Sequence, residues 1–238
     1  DGVRAGRKHL LGGEAALWLS RLAKWPLRNR RTKQAMAQLA ANDRPFHLVL
    51  LQLNGDSQTR EHSDFKSVRH FVEHCIEEYA AANVTEAPLV FKSHPLDNGI
   101  INIAAVIDGA ARRHGVRDRV FFIETGKLVP LLARTLSVTA INSTACHQPL
   151  RRGIPTLVLG RAVFNHPEIS PRMRLADFFR LRPVFDVRRY EQFIKLMQCT
   201  CQVHGGFYSG AARRFAVPGI AGMLIGGCCP RLACGNGA

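Results

Sequence analysis

The sequence predicts an α/β fold, a parallel sheet with helices on both faces. Two observations predict it. From residue 46 onward, apolar β-type runs alternate with stretches of helical period. Three of the runs stop at short polar loops, Asp56-Ser57-Gln58, Lys92-Ser93-His94-Pro95 and Asn142-Ser143-Thr144. Alternating strands and helices build right-handed crossovers, and these place successive strands parallel in one sheet.

The chain has 238 residues, enough for one large or two small domains, with 46% hydrophobic residues and a net charge of +15. No stretch reaches the roughly 18 apolar residues needed to cross a bilayer. The first residues, DGVRAGRKHL, show neither an initiator Met nor a signal-peptide pattern, so the expectation is the interior of a longer protein. The positive balance favours anionic partners: nucleotide sugars, phospholipid head groups or nucleic acid. The seven Cys do not form metal-ligand pairs; Cys199-Thr-Cys201 is too closely spaced and has no matching second pair. Scattered thiols fit a reducing compartment, and the chain reads as cytoplasmic.

Residues 1–45 form a basic lead-in, with ten Lys or Arg and three acids. Residues 14–39 can be helical, broken near Pro26, with Leu17, Trp18, Leu22 and Trp25 near one face. Arg21, Lys24, Arg28, Arg30, Arg31 and Lys33 supply charge. Such a stretch suits an anionic membrane surface, with Trp at the head-group level. It also suits an interdomain helix. Residues 46–53 (FHLVLLQL) read as a buried strand. Residues 65–82 carry Phe65, Val68, Phe71, Val72, Cys75, Ile76 and Tyr79 at helical spacing. Strands are expected at 89–92, 120–123, 138–141 and 156–159. Helices are expected at 100–114, closed by Gly115, and at 128–136. After Asn142 about two helical turns are expected, closed by Gly153. Residues 178–193 continue with helical and loop character. Together, 46–209 are expected to make one Rossmann-like domain. Residues 210–238, rich in Gly and Cys and poor in acids, are expected to be weakly ordered.

In a parallel sheet the three polar loops lie along one edge, where ligands bind outside the carboxyl ends of the strands. Lys92 and His94 can neutralise and hydrogen-bond a phosphate, and Pro95 fixes the turn. Asn142, Ser143 and Thr144 open a helix whose N–H groups suit an anion, although Asn142 or Ser143 can equally serve as a plain cap. Asp56 can likewise cap a turn. Neither a dinucleotide fingerprint nor a P-loop is present, and no cofactor or metal is called for.

These residues also resemble a family. LQLNGDSQ at 51–58, FKSHPLD at 91–97, residues 138–144, Arg152-Gly153, Leu159-Gly160-Arg161-Ala162-Val163-Phe164 and Gly206-Phe207-Tyr208-Ser209 look like the capsule polysaccharide biosynthesis/export family of KpsS/LipB type. The resemblance runs from about residue 46 to residue 209. It implies a retaining β-Kdo glycosyltransferase that uses CMP-Kdo. Such an enzyme builds the Kdo linker on a phosphatidylglycerol-type lipid at the inner face of the cytoplasmic membrane, alongside other capsule assembly proteins. The implied fold is GT-B, two Rossmann-like halves around a cleft, with this chain as the C-terminal half.

By that resemblance His94-Pro95 and Asn142-Ser143 hold CMP, and Lys92 lies by the phosphate. Asp56 is the nucleophilic carboxylate, and Gln58 and Arg161 contact the sugar carboxylate or phosphate. Two features depart from the pattern: Ala145-Cys146-His147-Gln148-Pro149 follows Asn142, and the acceptor half is largely absent. The chain is therefore also readable as a nucleotide binder without transfer. An anionic-surface-binding module and a sugar-nucleotide epimerase-like enzyme are the other classes. Nucleic acid is disfavoured, because no recognition motif accompanies the charge.

Overall fold

The computed structural model describes residues 11–41, 43–97, 99–200, 202–203 and 205–226; for residues 11–18, 20, 21, 58 and 226 the backbone alone is described. It divides into two compact units, Asp1–Phe185 and Asp186–Ala238. The second unit begins at Asp186, after α7 (below).

The first unit opens with α1, Leu11–Ala41, which runs through Pro26 without the expected break. An interior Pro costs a helix about 3 kcal/mol. Just after it Arg28, Asn29 and Thr32 anchor the helix to residues 124 and 125, offsetting that cost. Next come β1 (Phe46–Leu50), α2 (Ser57–Glu61) and α3 (Val68–Ala82). They are followed by β2 (Leu89–Lys92), α4 (Ile103–Arg113) and β3 (Val120–Ile123). Then α5 (Val129–Leu132), β4 (Thr135–Ala140), α6 (His147–Leu150), β5 (Thr156–Val158) and α7 (Leu175–Leu181) complete the unit.

The five strands are all parallel in the order β3-β2-β1-β4-β5, a Rossmann-like sheet. The expectation of a parallel α/β sheet holds. Chain order reverses between β1 and β4, so the crevice there is the topological switch point at which such sheets take ligands.

One face of the sheet packs Val49, Phe91 and Leu157 against Phe71, Ile76 and Tyr79 of α3, Ile107 of α4 and Phe178 of α7. The opposite residue set, Leu48, Val90, Val138 and Ala140, is also buried, so both faces are covered. Strands buried on both faces read as continuous apolar runs, which is why they were legible in the sequence. Gly115 (φ 67°) and Gly153 (φ 69°) close α4 and α6 in the left-handed conformation that glycine adopts without a Cβ clash.

Three boundaries differ from expectation. β1 ends at Leu50; the Leu51 N–H still bonds the Lys92 carbonyl at 3.0 Å, and Gln52 turns to Asn142. The helix expected over 128–136 is four residues long, and Thr135 to Ser137 pair with β1 instead. Ladder hydrogen bonds in a buried sheet outweigh a weak helical period. The two-turn helix after Asn142 is a 3₁₀ turn, Thr144–Cys146, running into the four-residue α6. Pro149 sits in the first turn of α6, where a missing N–H costs little.

The second unit contains α8, Val187–Thr200, and α9, Gly210–Gly226. Of the stretch 210–238, residues 210–226 form α9, which continues through Pro218. Its apolar composition supports a helix despite the glycines. Residues 227–238, with Cys228, Cys229 and Cys234, lie outside the described residues, as does Cys201.

Candidate functional site

At the switch point the Gln52 side chain bonds both the side chain and the backbone of Asn142. Gln52, two residues past β1, donates from Nε2 to Oδ1 of Asn142 at 2.7 Å, and the Asn142 backbone N–H donates to Gln52 Oε1 at 3.0 Å. Both residues are 8% exposed. The pair ties the carboxyl ends of β1 and β4 together. Asn142 Nδ2 also reaches the His62 carbonyl at 3.4 Å, adding the segment after α2.

Beyond this lock opens a cleft of about 490 Å³, lined by His62, Asn142, Thr144, Arg161, Ala162, Val163 and Phe164. Its size is that of a small-ligand site. Arg161 follows β5. Its backbone N–H bonds the His62 carbonyl at 2.6 Å, and its guanidinium bonds the Glu61 carbonyl at 3.0 Å and Asp64 at 3.3 Å. Gly160 makes this approach possible: a Cβ there would lie 2.9 Å from the His62 carbonyl oxygen and 3.0 Å from that of Ile141. Phe164 lines the cleft and packs against the His147 ring, centroids 4.7 Å apart and planes tilted by 55°. Burial, with the charge of Arg151, lowers the pKa of His147.

On the other side of the lock, His94 lines a small crevice with Gln52, Asn54, Ser93 and Asp97. The Leu96 N–H donates to His94 Nδ1 at 3.1 Å, so the neutral ring carries its proton on Nε2. Pro95 is exposed in the turn that follows.

Lys92, at the end of β2, is buried. It is 5% exposed, and its ammonium donates to the Ser93 carbonyl at 2.9 Å. It lines none of the cavities described above. Burial, with the nearby Arg28 charge, lowers its pKa to about 8. Lys92 therefore holds the His-Pro loop from beneath.

Ser143 accepts from the Ala145 N–H at 3.3 Å and acts as the cap of the 3₁₀ turn, while Thr144 is exposed at the cleft. The dipole of so short a helix adds little to anion binding. Asp56 is half-buried, and its carbonyl accepts from the Thr59 and Arg60 N–H groups, placing it at the cap position of α2. The side chain of Gln58 is outside the described residues, as are those of Trp18 and Arg21.

The structure thus brings Asn142, Thr144 and Arg161 to one cleft and His94 to an adjoining crevice, with Gln52 between. Sequence reasoning passed over Gln52 and His62. A polar residue inside the apolar run LQL was a usable signal for the first; nothing marked the second. Arg28, counted as a surface base, is instead 12% exposed, with its guanidinium 2.8 Å from Glu124 and 3.7 Å from Asp97.

Among the described residues no group of three or more His, Cys, Asp or Glu is placed to hold a metal ion. No helix among them is long and apolar enough to cross a membrane. Cys75 and Cys146 are fully buried, and burial pushes both thiols up, that of Cys146 to about 12. Thiols so placed are poor nucleophiles.

Residues 5–208 match the family model described as capsule polysaccharide biosynthesis protein. The chain belongs to the capsule polysaccharide biosynthesis family. Among family relatives it is similar to the capsule polysaccharide modification protein LipB of Neisseria meningitidis serogroup A, 32% identical over 165 residues, which are 69% of this chain and 39% of LipB. It is also similar to the capsule polysaccharide export protein KpsS of Escherichia coli, 26% identical over 166 residues, which are 70% of this chain and 43% of KpsS. The chain spans about two fifths of the length of these relatives.

Two solved structures overlap this family member in part. One is a β-Kdo 2,7 transferase, KpsC, of Thermosulfurimonas dismutans, with a TM-score of 0.37, 11% identity and coverage of 73% of this chain and 65% of that one. The other is a UDP-GlcNAc 2-epimerase of Neisseria meningitidis bound to UDP-GlcNAc, with a TM-score of 0.38, 15% identity and coverage of 78% and 47%.

Proposed function

We propose that this chain is the donor-binding half of a GT-B-type, retaining β-Kdo transferase. It takes CMP-Kdo at the carboxyl edge of the sheet. The transferase acts in capsule polysaccharide biosynthesis, adding Kdo to a phosphatidylglycerol-type lipid at the inner face of the cytoplasmic membrane. Family membership supports the pathway. The observation that carries the site is the Gln52–Asn142 lock, set at the switch point and opening onto the cleft of His62, Thr144 and Arg161.

The chemistry follows from the groups along this edge. Arg161 supplies fixed positive charge for a phosphate, and the Nε2–H of His94 and the Thr144 hydroxyl are donors. These stabilise the charge that develops on CMP as it leaves. Asp56 attacks the anomeric carbon of Kdo, forming a glycosyl–enzyme bond as the C–O bond to CMP breaks. The acceptor hydroxyl then attacks from the opposite side and gives its proton to solvent, Asp56 leaves as a carboxylate, and two inversions retain configuration. Lys92 supports the loop bearing His94.

Isothermal titration with CMP, UMP and AMP tests the reading. CMP is expected to bind in preference to the other two, and His94→Ala to weaken it by about 1–3 kcal/mol, the loss of one hydrogen bond to a charged group. Equal affinity for all three nucleotides, or binding of none by the folded chain, overturns it.

A further inference from the structure

β2 ends at Lys92, and residues 93–97 turn along the sheet edge with His94 among them. The bonds of this turn converge on Asp97. Its N–H donates to the His94 carbonyl at 3.1 Å. Its carboxylate accepts from the Ser93 hydroxyl at 3.4 Å and from the Gly99 N–H at 3.3 Å. Asp97 and His94 line the same small crevice with Gln52. The way His94 meets that crevice therefore depends on where the Asp97 carboxylate is held.

α1 supplies that hold. The Arg28 guanidinium lies 3.7 Å from the Asp97 carboxylate and bonds Glu124 at 2.8 Å, and all three side chains are largely buried. Lys92, buried beneath the turn, feels the Arg28 charge as well. Two cations and two carboxylates thus share one poorly hydrated node. Charges in such a node depend on one another's positions far more than surface pairs do. α1 has a second anchor, on the backbone after β3: Thr32 Oγ1 accepts from the Glu124 and Thr125 N–H groups at 3.0 and 3.1 Å. Holding the helix and holding the turn are therefore separable. Lys24 and Arg31, about one turn to either side of Arg28, line a cavity of about 470 Å³ instead.

We infer that Arg28 is a positioning residue for the nucleotide site: through Asp97 it fixes the turn that presents His94, so the seating of α1 and the affinity for the nucleotide are coupled. The nucleotide side of this coupling rests on the transferase reading; the hold of Arg28 on the turn does not. Coupling between two sites is reciprocal. A nucleotide bonded to His94 steadies the turn and, through Arg28, the helix. Loss of Arg28 frees the turn and weakens the nucleotide.

The test compares the full chain with Arg28→Met, Asp97→Asn, the double variant and Thr32→Val, by amide hydrogen exchange and CMP titration. Asp97→Asn keeps the shape of the side chain and removes its charge, so it carries the test should Arg28→Met fail to fold. In either single variant the backbone amide at position 97 is expected to exchange about tenfold faster, and CMP to bind about tenfold more weakly. The double variant should be no worse than the weaker single one, because both remove the same pair. Thr32→Val should speed exchange at Glu124 and Thr125, leave the Asp97 amide as in wild type and keep CMP affinity within about twofold. In wild type, CMP should slow exchange in α1 around Arg28, and Arg28→Met should abolish that effect, which a merely structural bond would not produce. Unchanged exchange at position 97, additive losses in the double variant, α1 exchange indifferent to bound CMP, or a Thr32→Val that weakens CMP as much as Arg28→Met overturns the inference. Failure of wild type to bind CMP overturns the transferase reading instead, and exchange at position 97 then decides the hold on the turn by itself.

Discussion

Gln52 and Asn142, 90 residues apart, exchange two hydrogen bonds of 2.7 and 3.0 Å where chain order in the sheet reverses. The Gln52 amide donates to the Asn142 side-chain oxygen and accepts from the Asn142 backbone N–H, so its own donor and acceptor are both satisfied. Truncating Gln52 takes away the partner of the Asn142 N–H and Oδ1, and truncating Asn142 takes away the acceptor of the Gln52 Nε2, each at a cost of about 1–3 kcal/mol. Gln52→Ala and Asn142→Ala are each expected to destabilise by that amount in urea unfolding. The double variant should cost clearly less than the sum of the two. Additive costs would mean that the two bonds do not couple the β1 and β4 ends.

Gly160→Ala should be destabilising by about 1–3 kcal/mol, because its Cβ would press on two backbone carbonyls rather than on the end of a flexible side chain. The same change should weaken ligand binding at the cleft, since Arg161 is carried by the displaced segment. A thermal melt and a CMP titration on one sample check both. An unchanged melting temperature would contradict the close approach seen here.

His47 is fully buried in β1, bonded through Nδ1 to Ser137 Oγ at 2.7 Å and packed 4.9 Å from Phe179. Burial, aided by the Arg182 charge, lowers its pKa to about 3. Between that value and about 6.5 the unfolded chain binds a proton that the folded chain does not, so stability rises with pH across this window. The contribution is present above about pH 6.5 and is lost as pH falls toward 3, to a limit of roughly 5 kcal/mol. His47→Gln should flatten the slope of unfolding free energy between pH 4 and 6.5; an unchanged slope would place the titration elsewhere.

Lys92 runs the same sign at the alkaline end. Its pKa is lowered to about 8, so between that value and about 10.5 the unfolded chain again holds the extra proton. Stability should rise by up to about 3 kcal/mol over this interval, and Lys92→Met should remove the rise. Denaturant midpoints at pH 7.5 and 9.5 for both proteins measure it.

Asp56→Asn bears on the proposed chemistry. In an active, full-length transferase it should abolish transfer while leaving CMP affinity nearly unchanged, because a nucleophile acts on the transition state more than on the bound ground state. Retention of more than about a tenth of wild-type turnover would amount to a loss under about 1.4 kcal/mol, too small for that role. Asp56 would then be the cap of α2 and nothing more.

What the sequence determined by itself follows from local rules. FHLVL, LVFK and VFFI are strands because a sheet covered on both faces demands unbroken apolar runs. Val68, Phe71, Val72, Cys75, Ile76 and Tyr79 declare the buried face of α3 through the helical period. Polar stops at His94 and Asn142 were visible because such residues do not continue a buried strand. The tertiary structure alone decided which ends are neighbours. The order β3-β2-β1-β4-β5 sets Gln52 against Asn142 and His62 against Arg161, pairings across 90 and about 100 residues that no local pattern encodes. It also divided the bases of α1, sinking Arg28 between two carboxylates while Lys24 and Arg31 face a cavity. A charge in a sequence has a sign but no surroundings, and its desolvation and its partners come only from what the fold packs against it.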